Sequence, residues 1–260
     1  MKILKKKISS HITLYYQKKI DEDLLSKTIN FLTSNDNKED IKIIKTNKAG
    51  YVFVTKIKGN YYYFKKYKNK NFIKIIKDFF RPERAVRSLN IAISLTRKNI
   101  PTVKPILAAV HIKNPFKKES IFVTADFGGT ELIKYLTNKI QNDSKREILN
   151  KIVNLYSQLL KNHFYHQDPD LQNFLIKQNR IVLVDVDSIR KFPFFTWKII
   201  LTNLINFNQQ LIKVENLDKN QNFTREDRYY IIRNILSNIK KNINIQQTIE
   251  YLNIQSLNTT

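Results

Sequence analysis

The feature that most constrains the fold is a change in hydrophobic pattern near the middle of the 260-residue chain. Before Gly128-Gly129 the sequence contains short runs of β-branched and aromatic residues, whereas beyond it apolar residues recur at helical spacing. This division predicts an α+β protein with two lobes. We expect a sheet-based N-terminal lobe over residues 1–125 and a mainly helical C-terminal lobe over residues 126–260.

The N-terminal half predicts five strands and one main helix. Gly59-Asn60 is a hairpin signal, because both residues tolerate positive φ. A helix is expected from about Pro82 to Lys98, after the third strand. The prediction is a five-stranded antiparallel sheet with one main helix. The expected strands are residues 41–46, 51–58, 60–67, 103–113 and 120–125.

The C-terminal half predicts helices separated by one pair of short strands. Helices are expected at residues 130–136 and 144–162 and, with breaks, from residue 195 to residue 252. Between them lie the apolar runs Phe174–Lys177 and Ile181–Asp185. A polar turn followed by two short strands, the second ending in carboxylates, is a layout that often presents a functional site.

The residue composition excludes several kinds of site. The chain has no cysteine, which excludes a disulfide scaffold, thiolate zinc sites and a cysteine nucleophile. Its four histidines show no HExxH pattern or paired metal-ligand spacing. A bound metal ion is therefore expected to have oxygen ligands.

The net charge of +24 predicts a polyanionic partner. Nucleic acid, an anionic bilayer and a phosphorylated acceptor all fit such a field. Nucleic acid is the least favoured, because the aromatic run Tyr61–Tyr63 lies on a predicted strand where core packing explains it. No apolar run reaches the roughly 18 residues of a membrane span. We expect a cytoplasmic chain, either soluble or peripheral on the inner face of the membrane, and the sequence sets no oligomeric state.

Residues 69–81 have the pattern of an amphipathic helix. The cations Lys70, Lys74, Lys77 and Arg81 fall on one side, and phenylalanine and isoleucine residues cover the other. An interfacial helix on an anionic membrane shows this pattern, and so does a surface helix packed on its own lobe. Both interpretations stay open.

The stretch from His166 to Asp187 is the most informative for chemistry. It fits the pattern HxDxxxxN, with Asp168 and Asn173 at the fixed positions, and Asp185 follows at the end of an apolar strand. Phosphoryl transfer needs one carboxylate for the acceptor hydroxyl and an amide and a carboxylate that bind Mg²⁺ at the nucleotide phosphates. We assign these roles to Asp168, and to Asn173 with Asp185 and Asp187. The alternative is an acidic, solvated loop, and His166 is expected to brace the loop.

A lysine on the third strand is the expected partner of the phosphates. Lys65 and Lys66 are adjacent, so they point to opposite faces of the strand. We choose Lys65 as the nucleotide-binding lysine. An exposed strand lysine with no such role is the competing interpretation.

With these residues in place, the chain from about Ile41 onward resembles the lipopolysaccharide core kinases, the Kdo and heptose kinases of the protein-kinase-like superfamily. The resemblance implies a two-lobed kinase fold that uses ATP and Mg²⁺. It implies that Asp168 is the catalytic aspartate, that Lys65 binds the nucleotide, and that Ala125 and Phe127 form the hinge against adenine. The acceptor would be a lipid-anchored anionic glycan. The segments that show the resemblance are residues 61–68, 84–108, 165–176, 182–192 and 223–236.

Three features depart from the kinase pattern. Asp126-Phe127-Gly128 spells DFG but precedes HxDxxxxN, so it is not the metal motif. Glu83 is the candidate partner for Lys65, yet it lies more than one turn before the expected position; either it serves from a shifted helix or the pair is absent. The loop that covers the phosphates, residues 46–51, has only Gly50 where protein kinases have three glycines.

The leading function is therefore an ATP-dependent, Mg²⁺-requiring kinase that phosphorylates a sugar hydroxyl of the lipopolysaccharide inner core. An aminoglycoside-type small-molecule kinase or a protein kinase would share the same carboxylate loop. A catalytically weak pseudokinase that serves as a binding protein is a further alternative.

Overall fold

The chain divides into two units: Met1–Ser94 with Val103–Asp126, and Leu95–Thr102 with Phe127–Thr260. The computed structural model describes residues 3–33, 41–47, 50–67, 82–114, 117–138, 142–218, 221–240 and 244–257. The amphipathic segment predicted at residues 69–81 lies outside these ranges, as do Lys48 and Ala49 of the predicted phosphate loop. Their predictions stay as stated.

An antiparallel sheet of seven strands organises the first unit. Its spatial order is β1-β2-β6-β7-β5-β4-β3. The strands are β1 (Leu4–Lys7), β2 (Ile12–Tyr16), β3 (Lys42–Asn47), β4 (Gly50–Ile57), β5 (Asn60–Tyr67), β6 (Pro105–Asn114) and β7 (Lys117–Ala125).

The prediction of five strands is therefore wrong in number. Strands β3 to β7 match the five predicted runs, and β1 and β2 add two at the β6 edge. In β2, Ile12 and Leu14 are buried and alternate with less buried residues, so this strand had a short sequence signal. β1 is an exposed edge strand with the sequence LKKK, which lacks the alternation of apolar and polar residues typical of a strand with one buried face.

A helix that the sequence analysis missed covers one face of the sheet. Helix α1 (Glu22–Thr33) begins after Asp21, whose Oδ1 accepts hydrogen bonds from the backbone N–H groups of Asp23 at 3.0 Å and Leu24 at 3.4 Å. Its Phe31 ring lies 4.7 Å from the ring of Phe53 and 5.3 Å from that of Phe64. The prediction of one main helix in this lobe is thus corrected to two among the described residues.

The second helix, α2 (Arg84–Arg97), lies against the other face. The Oγ of Ser88 is 3.2 Å from the hydroxyl oxygen of Tyr67 on β5, and the Arg84 guanidinium lies 4.9 Å from the Tyr67 ring centroid. Glu83, just before the helix, pairs with Lys118 on β7 at 3.2 Å. These contacts show that Tyr67 and Lys118 point to the α2 face.

The two adjacent lysines of β5 point to opposite faces of the sheet. Lys66 is 2% exposed, and its Nζ donates to the carbonyl oxygens of Phe31 at 2.9 Å and Leu32 at 3.4 Å near the end of α1. The same Nζ lies 3.2 Å from Glu119. Lys65 shares the α2 face with Tyr67, whose ring centroid is 5.7 Å from the Lys65 Nζ. Lys66 therefore belongs to the core between α1 and the sheet.

The carboxylate that pairs with Lys66 is held in its charged form. Burial raises the pKa of Glu119, but the ion pairs with Lys113 and Lys66 outweigh burial, so the pKa lies below its usual value. The Lys113 Nζ lies 2.8 Å from Glu119 Oε1. Removing one partner of such a buried charge pair strongly destabilises the folded protein, because the other charge stays buried without its partner.

The second unit combines short strands with five helices among its described residues. Strands β8 (Thr130–Glu131), β10 (Phe174–Lys177) and β11 (Arg180–Leu183) form one small sheet, and β9 (Phe164–His166) pairs with β12 (Ile189–Lys191). The helices are α3 (Leu132–Asn138), α4 (Asn142–Lys161), α5 (Trp197–Leu217), α6 (Arg225–Ile239) and α7 (Ile245–Leu257).

A buried arginine links the last three helices. Arg228 on α6 is 5% exposed and its Nε lies 2.7 Å from Glu215 on α5. Its Nη1 donates to Asn208 Oδ1 on α5 at 3.2 Å and to Asn253 Oδ1 on α7 at 2.7 Å. Because the guanidinium has several donors in a fixed plane, one side chain satisfies partners on two helices.

We predict that Lys66→Met lowers the free energy of unfolding by about 3 kcal/mol, because it leaves Glu119 without its buried partner. The matched variant Lys65→Met should lower it by less than about 1 kcal/mol, because Lys65 lies on the α2 face of β5, outside the core that Lys66 and Glu119 share. Urea denaturation of the two variants and the wild type measures both values. Equal losses for the two lysines would contradict the assignment of Lys66 to the core.

Candidate active site

The chain enters the HxDxxxxN loop from strand β9, which is fixed on both sides. The His166 carbonyl oxygen accepts a hydrogen bond from Asn203 Nδ2 on α5 at 3.0 Å. The backbone N–H of Gln167 donates to the Ser188 carbonyl at 2.9 Å. The Asp168 side chain, which follows directly, is exposed. A carboxylate that can contact a substrate is thus attached to a rigid strand.

Asn203 is a positioning residue that sequence analysis did not find. It is 1% exposed, and its Oδ1 accepts the hydroxyl of Tyr156 on α4 at 2.6 Å. It thereby connects α4, α5 and β9. No sequence signal identifies it, because an asparagine 35 residues after Asp168 has no fixed spacing to the motif.

His166 is buried within the loop. Its ring is 0% exposed and stacks on Phe174 with 5.8 Å between centroids, and its Nδ1 lies 3.4 Å from the Ser188 Oγ. Burial lowers its pKa from 6.5 to about 4, so the ring is neutral near pH 7. Its Nε2 is buried and has no hydrogen-bond partner among the described residues. A neutral, enclosed ring of this kind braces the loop and does not contact an acceptor.

Two aspartates of the loop have different environments. Asp170 accepts a hydrogen bond from the Gln172 N–H at 2.9 Å, which caps the short 3₁₀ turn Leu171–Asn173. Its other oxygen lies 3.6 Å from Lys213 on α5. Asp168 stands two residues earlier with its carboxylate exposed. The structure therefore gives Asp170 a structural role and leaves Asp168 as the candidate for chemistry.

Asn173 and Asp185 lie at the same end of the β10–β11 hairpin. The register pairs Phe174 with Leu183, and the backbone N–H of Val184 donates to the Asn173 carbonyl at 3.0 Å. The Asn173 Nδ2 donates to the Asp168 carbonyl at 3.4 Å, so its Oδ1 is the atom that remains for a cation. Strand pairing thus brings together residues that are 12 positions apart in sequence.

Asp185 caps the 3₁₀ turn Val186–Ser188, and Asp187 lies within that turn. The Asp185 Oδ1 accepts a hydrogen bond from the Asp187 N–H at 3.2 Å, and both side chains are half-buried. In the part of the chain that the structure describes, no three His, Cys, Asp or Glu side chains cluster as a metal site. An amide and one or two carboxylates fit Mg²⁺, which completes its octahedron with phosphate oxygens and water.

In the first unit, Gly50 has a structural reason to be glycine. A Cβ on Gly50 would lie 1.9 Å from the carbonyl oxygen of Lys66 on the neighbouring strand β5. This contact explains the residue without reference to phosphate. The Glu83 carboxylate lies 3.2 Å from the Lys118 Nζ, and a pair between Glu83 and Lys65 stays a prediction.

The residues predicted to contact adenine lie at the end of β7 and just after it. The backbone N–H of Ala125 donates to the Lys104 carbonyl at 3.0 Å, and that of Asp126 donates to the Tyr61 carbonyl at 3.0 Å. Asp126 thus lies directly after strand β7 and is hydrogen-bonded to β5. In the second unit, Phe127 lies beside Gly129, where a Cβ would be 3.0 Å from its ring. The adenine contacts of Ala125 and Phe127 stay predictions.

The buried His166 predicts a pH dependence of stability. The folded pKa of about 4 lies below the ordinary value of 6.5, so the unfolded chain binds the proton first. The stabilising contribution is complete above pH 6.5 and is lost as the pH falls towards 4. Relative to His166→Asn, the wild type should lose about 2 kcal/mol of unfolding free energy between pH 7 and pH 5.

Urea denaturation of both proteins over that pH range measures the difference. A difference that stays constant with pH would show that the folded ring titrates normally, which would contradict its enclosure.

Comparison with known proteins identifies the family and the fold of the chain. The model of the "Lipopolysaccharide kinase (Kdo/WaaP) family" matches residues 37–233, most of the chain. A search of curated proteins finds no match. Among solved structures, the chain is similar to "WaaP in complex with acyl carrier protein", with a TM-score of 0.57, 12% identity and coverage of 84% of this chain and 88% of that chain. The structural likeness confirms the α+β class. The extent of the family match shows that this chain belongs to the lipopolysaccharide kinase (Kdo/WaaP) family.

Proposed function

We propose that this kinase transfers a phosphoryl group from ATP, with Mg²⁺, to a Kdo or heptose hydroxyl of the lipopolysaccharide inner core. The observation that supports this most is the arrangement of Asp168, Asn173 and Asp185. Pairing of β10 with β11, together with the Asn173 side chain at the Asp168 carbonyl, gathers an exposed carboxylate and two oxygen donors. These are the groups that phosphoryl transfer requires.

Asp168 would act on the acceptor. Its exposed carboxylate would accept the hydrogen bond of the sugar hydroxyl and orient the oxygen toward the γ-phosphorus. It would take the proton as the new P–O bond forms, while the bond from the γ-phosphorus to the β,γ-bridging oxygen breaks and ADP leaves. The hydrogen bonds of His166 and Gln167 hold the backbone from which the carboxylate projects. Positioning of this kind is the main contribution that a protein makes to phosphoryl transfer.

Asn173 Oδ1 and the carboxylates of Asp185 and Asp187 would hold Mg²⁺. When bound, the ion neutralises charge on the nucleotide phosphates. The capping bond between Asp185 and the Asp187 N–H fixes the direction of the first carboxylate before any ligand arrives. The hairpin therefore presents these oxygen atoms without the energetic cost of ordering a loop.

In the first unit, Lys65 would bind the α- and β-phosphates, with Glu83 as its candidate partner. The backbone at Gly50 would approach the phosphates, and Ala125 and Phe127 would contact adenine. Lys65 is favoured over Lys66 because Lys66 is buried against α1, where no nucleotide can reach it. The face of β5 that carries Lys65 is the face on which α2 lies.

A lipid-anchored, anionic acceptor fits the chain in two respects. The net charge of +24 attracts a phosphorylated glycan. In the described ranges, no helix is both long and apolar enough to cross a membrane. We propose that the kinase reaches its acceptor from the cytoplasmic face of the inner membrane. A soluble aminoglycoside or a peptide as the preferred acceptor would favour the alternatives set out from the sequence.

We predict that Asp168→Asn and Asp185→Asn each reduce the rate of acceptor phosphorylation by about 10² or more, because each removes a carboxylate used in the transfer. The matched control is Asp170→Asn, which should lose less than tenfold. Asparagine still caps the turn, and the lost ion pair with Lys213 is exposed enough to matter little. The assay measures transfer of labelled phosphate from ATP to lipid A–core acceptor.

Circular dichroism confirms that each variant is folded. If Asp170→Asn is as inactive as Asp168→Asn, the assignment of the catalytic aspartate is wrong. If the folded wild type neither binds Mg·ATP nor transfers phosphate, the chain is a binding protein on a kinase fold.

We predict that Lys65→Met raises the KM for ATP at least tenfold, because a cation at the α- and β-phosphates is lost. Steady-state kinetics with varied ATP measure the effect, at acceptor saturation. Lys104→Met, on the exposed surface before β6, is the control and should leave the KM for ATP within about twofold. An unchanged KM in folded Lys65→Met would remove Lys65 from the nucleotide site.

A further inference from the structure

A loop rich in aromatic and basic residues follows the candidate metal site. It spans Arg190–Lys198, with the sequence RKFPFFTWK, and we call it the aromatic-basic loop. Phe194 is 65% exposed and Phe192 is 36% exposed. Single exposed apolar residues are common, but three phenylalanines within four positions form a surface that water solvates poorly.

The aromatic-basic loop is held in a defined shape by His163. The backbone N–H of Phe192 donates to the His163 carbonyl at 2.9 Å, and the His163 Nδ1 lies 3.0 Å from the Pro193 carbonyl oxygen. The His163 ring lies 5.6 Å from that of Phe195, which lies 5.8 Å from that of Phe192. The rings therefore pack as a cluster at the base, and Phe194 projects into solvent.

The charges around the loop are all positive over a long stretch of sequence. From Ser188 to Val214 the chain contains no aspartate or glutamate. Lys191 and Lys198 are exposed, and Lys240 from the end of α6 places its Nζ 4.6 Å from the Trp197 ring centroid. The surface therefore combines projecting aromatic rings with cations.

We propose that the aromatic-basic loop is a docking surface for an anionic lipid bilayer. Phenylalanine and tryptophan rings favour the boundary between headgroups and acyl chains, and nearby lysines interact with anionic headgroups. The charge complementarity selects this occupant over a second copy of the chain, because two copies of so basic a surface repel each other. The aromatic-basic loop is a different stretch of sequence from residues 69–81.

Docking at this loop orients the catalytic loop. The aromatic-basic loop begins with the last two residues of strand β12, which pairs with β9. The register places Arg190 opposite Tyr165 and Ile189 opposite His166. Asp168 follows two residues after His166. A bilayer contact at the loop therefore fixes the orientation of the Asp168 loop with respect to the membrane, where a lipid-anchored acceptor lies. This benefit rests on the proposed function, whereas the lipid contact itself does not.

Co-sedimentation of the full chain with vesicles tests the docking surface. The wild type should bind phosphatidylcholine vesicles that contain phosphatidylglycerol and should bind pure phosphatidylcholine vesicles at least tenfold more weakly. Phe194→Ser should weaken binding to the anionic vesicles about tenfold. Phe194→Trp, which keeps an aromatic ring at this position, should bind them as the wild type does. The control Leu217→Ser removes a 55% exposed leucine from the far end of α5 and should bind as the wild type does.

A second pair of variants separates local charge from total charge. The double variant Lys191→Ala/Lys198→Ala should weaken anionic vesicle binding about tenfold at low salt. The control Lys18→Ala/Lys19→Ala removes the same charge from an exposed segment of the first unit and should have at most a threefold effect. Equal effects of the two double variants would overturn the proposal, because net charge alone would then explain binding.

Three further outcomes overturn the proposal. The first is a wild type that does not bind anionic vesicles. The second is concentration-dependent self-association in analytical ultracentrifugation that Phe194→Ser abolishes, which would make the loop an interface between copies. The third is a Phe194→Ser variant that no longer phosphorylates a deacylated, water-soluble acceptor. That result would place the loop in the catalytic site. Asp168→Asn should lose activity on both acceptors while it binds vesicles normally, so failure of the kinase proposal stays distinguishable.

Discussion

The buried amide of Asn203 fixes the geometry of the candidate active site. Its oxygen accepts the Tyr156 hydroxyl from one helix, and its nitrogen donates to the His166 carbonyl on the strand that leads to Asp168. Because an amide group has both a donor and an acceptor, one side chain links helices α4 and α5 to strand β9, which leads into the candidate catalytic loop. The polar groups involved are buried, so each would cost free energy if left unpaired. The catalytic loop therefore has one stable position relative to the helices.

The chemical motif could be predicted from sequence because its order is local. His166, Asp168 and Asn173 lie close together in sequence, and Asp185 follows just after strand β11, so fixed spacing survives as a recognisable pattern. Asp170 fits the same acidic loop, yet only the capping bond and its contact with Lys213 separate it from Asp168. Such distinctions depend on three-dimensional neighbours that a pattern does not contain.

The missed elements of the first unit have a common cause. Strand β1 is an exposed edge with three lysines, and α1 is a 12-residue helix that becomes obvious only when its Phe31 is seen to pack on Phe53 and Phe64. Tertiary packing decides both, whereas the five predicted strands have strong β-type runs of their own. The same limit applied to the aromatic-basic loop. From the sequence alone, its aromatic residues are expected in a hydrophobic core. Only the exposure of Phe192 and Phe194 in the structure shows that they form part of the surface.

Because Lys65 and Lys66 are adjacent and point to opposite faces, the alignment of β5 with a related sequence is ambiguous. A shift of one residue still matches lysine to lysine, although it turns every side chain of the strand to the other face. The buried Phe64 and the close approach of Gly50 to the Lys66 carbonyl identify the correct register. At 12% identity to the WaaP structure, a superposition of backbones is the safer basis for equating residues on this strand. An alignment that placed Lys66 in the nucleotide position would score well, although the Lys66 side chain is buried against α1.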